Sequence, residues 1–342
     1  MERSIYVNPA HGNEPFILGT LLAQGVKKRL EQEGDNVTVV MPLIYANRQE
    51  RILRGYGIDD SFILDPILGD LYRHILFTSG DYKKHLRDFT EARHSTESRV
   101  RDHLSCNYPR FDAEINVGSR MSSGAPSYYA FPTILSELLE QSLAEVEMNR
   151  TFGERLLESG LSEALKFELY ERVFIPSYHT FSYDDSRTPH LREISTPPLK
   201  PIVENSDRIP EHSVYCMFSG TASEIHEIMT RAQKAQGDGY NVIVPPWVEA
   251  DEFQRLHPDV ISNPNVERVI ARAGFGTIWT CQQAGKELDA IDYTHGDDPE
   301  IYFNLRTLKR KPMLKATEKQ KTDFDEMDGI EYVSRIITED IQ

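Results

Sequence analysis

Twice along the chain a short apolar strand runs through a loop of small residues into an amphipathic helix and on to a second strand. No other feature constrains the fold as much. The first copy opens with Ser4-Ile5-Tyr6-Val7 and the loop Asn8-Pro9-Ala10-His11-Gly12-Asn13. Apolar residues then recur at helical spacing through Phe16, Leu18, Leu21, Leu22 and Val26; Gly34 breaks the helix, and Val37-Thr38-Val39-Val40 is the next strand. The second copy has a strand over 214–218, the loop Ser219-Gly220-Thr221-Ala222-Ser223, a helix over 223–236 and a strand over 241–244. Strand, loop, helix, strand is the βαβ unit of a parallel sheet.

Between the copies, residues 177–211 are polar and carry prolines at 189, 197, 198, 201 and 210, a texture that resists both helix and central strand. The expectation is an α/β chain of two Rossmann-like domains facing a cleft, the first over residues 1–195 and the second over 212–315. Residues 316–342 are expected to be a tail packing back on the first domain. Within this frame the spacing predicts helices over 66–77, 81–104, 132–148, 151–170 and 277–284, with strands over 113–117, 172–175, 268–271 and 288–291.

Bulk properties remove several classes of function. The chain has 342 residues, 39% hydrophobic and 27% charged, the composition of a folded protein. No apolar run approaches the roughly 20 residues that span a bilayer. A polar Met1-Glu2-Arg3-Ser4 start gives no signal-peptide core, and Cys106, Cys216 and Cys281 form no C-x-x-C pair, so a reducing cytoplasm is expected. A net charge of −16 repels phosphate backbones, so no nucleic-acid partner is expected, and Lys309-Arg310-Lys311 reads as a solvated face. Membrane association is left open by Phe62-Ile63-Leu64-Asp65-Pro66-Ile67-Leu68, followed by Leu71, Tyr72, His74, Ile75, Leu76 and Phe77 and then Lys83, Lys84, His85 and Arg87, but a buried helix face is favoured there. Asp323-Phe324-Asp325 has the D-x-D form of a metal site but lies in the polar tail, so no metal is expected. No H-E-x-x-H, P-loop or G-x-S-x-G occurs.

The chemistry-bearing segment is an apolar strand that runs into Arg272-Ala273-Gly274-Phe275-Gly276-Thr277 and directly into a helix. Glycine lets a backbone approach a ligand, and the N–H groups of a helix start attract phosphate, with Thr277 able to cap. Taken alone, the loop is equally an ordinary strand-to-helix turn.

This stretch resembles the donor segment of GT-B glycosyltransferases, in the lineage of the bacterial lipid II N-acetylglucosaminyltransferase and the UDP-glycosyltransferases. The resemblance rests on Arg272-Ala273-Gly274, the helix, Ala284-Gly285-Lys286, and the loop Tyr293-Thr294-His295-Gly296-Asp297-Asp298-Pro299-Glu300, with Asn304 beyond it. It implies a nucleotide-sugar donor, UDP-sugar being favoured, and an unidentified acceptor, with no separate cofactor. Nucleotide and phosphate contacts fall on Gly12, Ser219, Gly220, Thr221, Arg272, Gly274, Phe275, Gly276 and Thr277. Sugar contacts fall on His295, Gly296, Asp297, Asp298 and Glu300, and the acceptor side on Ser119, Arg120, Ser122 and Ser123. The family's first loop carries a histidine near the reaction centre; here it is His11, as the base of an inverting, metal-independent transfer. Two positions depart from the pattern. Thr280 stands where the family has a ribose-binding glutamate, and Asp297-Asp298-Pro299-Glu300 replaces an acidic-glutamine pair. A nucleotide-sugar 2-epimerase or hydrolase of the same fold, and a non-catalytic sugar- or nucleotide-binding protein, remain open alternatives.

Overall fold

The computed structural model describes residues 1–9, 13–58, 62–73, 81–118, 123–176, 191–200, 205, 208–310 and 327–342. The opening βαβ unit forms as the apolar spacing predicts: β1 (Glu2–Pro9), α1 (Asn13–Gln32) and β2 (Asn36–Pro42). The first unit continues through α2 (Ala46–Gly55), β3 (Phe62–Asp65), α3 (Pro66–Arg73), α4 (Tyr82–Asn107), β4 (Ala113–Val117) and β5 (Ser127–Ala130). Next come α5 (Leu135–Ala144), α6 (Val146–Phe152), α7 (Glu154–Phe167), β6 (Arg172–Pro176) and β7 (Glu193–Thr196). Every neighbouring pair is parallel, in the order β3-β2-β1-β4-β5-β6-β7. β7 corrects the reading of 177–211 as connector throughout. It is an edge strand, which needs a ladder on one side only and so tolerates a proline-rich setting.

The second unit repeats the alternation with β8 (Ser213–Met217), α8 (Ala222–Gly237), β9 (Asn241–Val244), β10 (Gln254–Arg255) and a 3-10 turn over Pro258–Ser262. It closes with β11 (Val266–Ala271), α9 (Phe275–Ala284), β12 (Glu287–Ala290) and α10 (Pro299–Arg310). Its five strands are parallel in the order β10-β9-β8-β11-β12. Alternate residues of β8, β9 and β11 feed two apolar layers. Val214, Cys216, Val242, Val244 and Ile270 pack with Ile228 and Ala232 of α8, while Tyr215, Ile243, Val269 and Ala271 pack with Cys281 of α9.

The last helix, α11 (Gly329–Ile341), belongs to the first unit. Gly329, Val333, Ser334, Ile337 and Thr338 form its buried stripe. Contact with α1 is close enough that a Cβ at Gly25 would lie 2.3 Å from Ser334 Oγ, so only glycine fits there without a shift. Among the described residues no helix is long and apolar enough to cross a membrane.

In each sheet the strand order reverses beside the opening strand, between β1 and β4 and between β8 and β11. Open α/β sheets bind ligands at the carboxyl ends of the strands flanking such a point. In the second unit those ends lead into residues 218–221 and 272–274, two of the segments singled out by sequence.

Candidate functional site

Both helices that start at the second switch point present an N-terminus, but the two ends differ chemically. α8 is closed by its own sequence. Thr221 Oγ1 accepts from the Glu224 N–H at 3.3 Å, and Glu224 Oε2 accepts from the Thr221 N–H at 2.7 Å. This reciprocal box satisfies two donors that an anion would otherwise claim. Thr221, expected at the phosphate, therefore spends its hydroxyl as a cap. The T-x-x-E spacing is the signal in the sequence that marks this box.

α9 is open. Its N-cap is Gly274, and no side chain caps it. Thr277, expected to cap this helix, instead sits inside its first turn, because the helix begins at Phe275. Gly274 has an ordinary backbone (φ −80°, ψ 150°), and a Cβ built on it would meet nothing within 4 Å among the described residues. Packing among the described residues gives no reason for a glycine at this position.

The turn before α9 is held from below. Gly274 N–H donates to the Arg272 carbonyl at 2.9 Å, and Asn304 Nδ2 of α10 donates to the Ala273 carbonyl at 2.8 Å. Phe275, expected near the nucleotide, is instead buried with its ring 5.5 Å from that of Trp279. It anchors the helix start rather than lining an exposed surface. Thr280 donates to the Gly276 carbonyl at 2.8 Å, within its own helix.

Arg272 joins the remaining predicted residues. Its Nη1 lies 3.5 Å from Glu224 Oε2 and its Nη2 3.4 Å from Asp297 Oδ2. Burial works against the guanidinium charge, but Asp297, Glu224, Asp298 and Glu300 outweigh it and hold Arg272 charged. Asp297 is almost fully withdrawn from solvent, and among the described residues neither of its oxygens, nor Glu224 Oε1, has a hydrogen-bond partner in good geometry. Burial pushes the Asp297 carboxyl up to about 7, with Arg272 pulling it down and Glu224 and Asp298 raising it further. Burial also raises Asp298, whose Oδ1 accepts from the Glu300 N–H at 2.9 Å and so starts α10. Tyr293 Oη donates to the Asp297 carbonyl at 2.7 Å, and the Asp297 N–H donates to that of Thr294 at 3.0 Å.

The structure thus brings Gly220, Thr221, Arg272, Gly274 and Asp297–Glu300 into one cluster at the carboxyl end of the second sheet. Ser219 is half-buried and Gly220 exposed on the α8 side, and His295 is exposed with Gly296 half-buried beside Asp297. His11, Gly12, Ser119, Arg120 and Ser122 lie outside the described residues, as does Asp323-Phe324-Asp325. Among the described residues no group of three His, Cys, Asp or Glu side chains is placed to hold a metal ion.

The first unit has its own polar feature at its switch point, which sequence reading missed. Tyr6 Oη and Tyr72 Oη are 2.6 Å apart, and Tyr72 Oη donates to Asn8 Oδ1. Asn8 Nδ2 donates to Asn116 Oδ1 at 3.0 Å, and Asn116 Nδ2 to Ser127 Oγ at 2.8 Å. Glu114 Oε2 accepts from Ser123 N–H at 2.6 Å and Ser123 Oγ at 2.7 Å, so the last residue of the predicted acceptor loop is pinned to β4. Register places Tyr6 beside Glu114 and Asn8 beside Asn116 on one sheet face, a polar alternation hidden by the apolar residues between them.

Comparison with solved structures decides the architecture. LpCGTa in complex with UDP matches with a TM-score of 0.55 at 14% identity, over 100% of this chain and 91% of that one. Arabidopsis thaliana UGT89C1 complexed with UDP gives 0.54 at 14% identity, over 100% and 91%. Medicago truncatula UGT71G1 complexed with UDP-glucose gives 0.53 at 13% identity, over 99% and 98%. The chain has the GT-B fold. At such identities the likeness shows the fold alone. No family model matches the sequence, and no curated protein matches it. Which GT-B chemistry the chain performs is therefore argued from its own residues.

Proposed function

We propose that the chain is a glycosyltransferase whose second unit holds a nucleotide-diphosphate sugar, with UDP-sugar the favoured donor. The observation that carries this is Gly274. It stands at an uncapped helix start beside the switch point, in a conformation any residue could adopt, with room where a side chain would be. A bound group approaching that backbone accounts for the missing side chain. The diphosphate lies against the first-turn N–H groups of α9, where the helix dipole offsets the charge that grows on the leaving phosphate.

In this reading His295, Gly296, Asp298 and Glu300 face the sugar, since they are exposed or half-buried, whereas Asp297 acts from behind them. The acceptor belongs to the first unit, through Ser119, Arg120, Ser122 and Ser123. Its hydroxyl oxygen bonds to the anomeric carbon as the bond to the diphosphate oxygen breaks, His11 takes the hydroxyl proton, and the nucleoside diphosphate leaves. The roles of His11, Gly12 and the acceptor loop rest on the resemblance, as do inversion, metal independence and the kinship to the lipid II lineage. Free Cys216 and Cys281, buried with thiols pushed up to about 12, suit a reducing cytoplasm.

A thermal-shift screen against UDP-, GDP-, dTDP- and CMP-sugars tests the proposal, because a ligand that binds only the folded state raises its melting point. A selective rise with a UDP-sugar is expected, and no response to any of the four would end the donor-site reading. Turnover should survive EDTA. Loss of activity with EDTA and its return with manganese would overturn the metal-independent scheme.

A further inference from the structure

Glu224, Arg272 and Asp297 come from three different segments, and each is fixed by its own backbone. Glu224 is locked to Thr221 by the capping box at the start of α8. Arg272 leaves β11 into a turn whose next carbonyl, that of Ala273, is held by Asn304. Asp297 is held in its loop by Thr294 and Tyr293. One guanidinium reaches both carboxylates, at 3.5 Å and 3.4 Å, with the Arg272 side chain 12% exposed and the carboxylates 1% and 0%. Gly220, in the segment that leads into α8 and Glu224, allows the fit. A Cβ on Gly220 would lie 2.2 Å from Glu224 Oε2 and 3.0 Å from Arg272 Nη1, and its φ of +102° is one that side chains rarely adopt.

We infer that Arg272 is the positioning residue of the second unit's donor site, fixing the β8–α8 and β12–α10 loops around the open start of α9 through Glu224 and Asp297 rather than by binding phosphate itself. This rests on the donor-site reading above. Its two Nη groups face buried carboxylates, and turning them to a phosphate would leave those acids without their cation, which proteins avoid. A planar fork can serve two carboxylates in different directions; an ammonium is a single point charge. Arg272 therefore acts on the ligand by deciding where two loops stand.

The test compares the full-length wild type with R272M, R272K and the triple variant R272M/E224Q/D297N, by melting temperature, amide exchange over residues 219–224 and 291–298, and UDP titration. R272M is expected to melt at least about 5 °C lower, to exchange faster in both segments and to bind UDP about tenfold more weakly. The triple variant removes the two contacting carboxylates together with the guanidinium, leaving only Asp298 and Glu300 nearby. It should regain the melting point and the slow exchange, and return UDP affinity to within about threefold of wild type. R272K should lose UDP affinity with a smaller thermal loss, and it carries the comparison if R272M does not fold. Recovery of stability without recovery of UDP affinity would show Arg272 on the phosphate and overturn the inference. Wild-type melting or UDP affinity in R272M, or a triple variant no better than R272M, would overturn it too. A wild type that binds no UDP would instead remove the donor reading, while melting and exchange still decide whether Arg272 ties the loops.

Discussion

Asn304 donates from its Nδ2 to the Ala273 carbonyl at 2.8 Å, with both residues wholly buried, so α10 props the turn from which α9 departs. Asn304→Leu keeps the volume but leaves that carbonyl without its donor, at a cost of about 1–3 kcal/mol. Urea unfolding should show the loss, and nucleotide affinity should fall with it because the turn sets the helix start. Wild-type stability in this variant would mean that the carbonyl finds another donor.

Two glycines of the same site should respond oppositely to substitution. Gly274→Ser places a preferred capping residue where there is room for it, so stability should hold or rise by up to about 1 kcal/mol. The same hydroxyl would occupy the N–H groups assigned to the diphosphate, and UDP affinity should drop. Gly220→Ala meets Glu224 Oε2 and needs a positive φ, so it should destabilise by more than about 1 kcal/mol. Calorimetric titration and melting of both variants separate the two effects. Unchanged UDP binding in Gly274→Ser would remove the ligand from the α9 terminus.

Much of this site was legible because backbone chemistry writes itself into local sequence. Strand, small-residue loop and helix at 214–236 and again at 266–284 follow from apolar spacing and glycine placement. Other parts were not. β3, β5 and β7 are four-residue strands, too short to show a period, and α11 was read as tail because its charged face dominates a stripe of small and β-branched residues. Roles within the site were the least readable. The resemblance gives Thr221 and Asp297 contacts to ligand; in the structure one caps a helix and the other is buried against Arg272. Those assignments depend on side-chain direction between distant segments, such as Glu224 meeting Arg272, and no spacing rule encodes that.

The buried acids predict how stability depends on pH. Asp297 in the folded protein titrates at about 7 against an ordinary 3.8, because burial, Glu224 and Asp298 outweigh Arg272. The folded state therefore keeps a proton that the unfolded chain releases between those values. Stability from this group is complete below the unfolded value and is lost as pH rises through about 7. Asp298 and Glu168, both raised by burial, act in the same direction. Asp35, lowered by the N-terminal ammonium and Arg3, has the opposite sign and matters only on acidification below the aspartate range. Urea unfolding between about pH 5 and 8 should show stability falling in the wild type and falling less in Asp297→Asn. Equal slopes would place the titrating group elsewhere.

The final prediction concerns the segment whose sequence left a membrane surface open. Phe62, Leu68, Leu71 and Tyr72 are buried, and Leu68, Leu71 and Tyr72 join Tyr6, Val40 and Val100 in one apolar cluster between α3, α4 and the sheet. Among the described residues of this segment Ile63 at 44% and Ile67 at 56% exposure remain outside; Ile75, Leu76 and Phe77 lie outside the described residues. The basic residues beside them are partly spent: Lys84 Nζ lies 2.5 Å from Asp88 Oδ2, and Lys83 Nζ donates to the Thr151 carbonyl at 3.1 Å. Each free surface cation adds only about 1 kcal/mol against anionic lipid, and a net charge of −16 opposes the approach. Among the described residues, two isoleucines bury too little to offset that. The full chain should therefore stay in the supernatant when spun with phosphatidylserine vesicles at low salt. Pelleting at low salt that is lost at high salt would show the basic cluster at work, and would point to a lipid-linked acceptor.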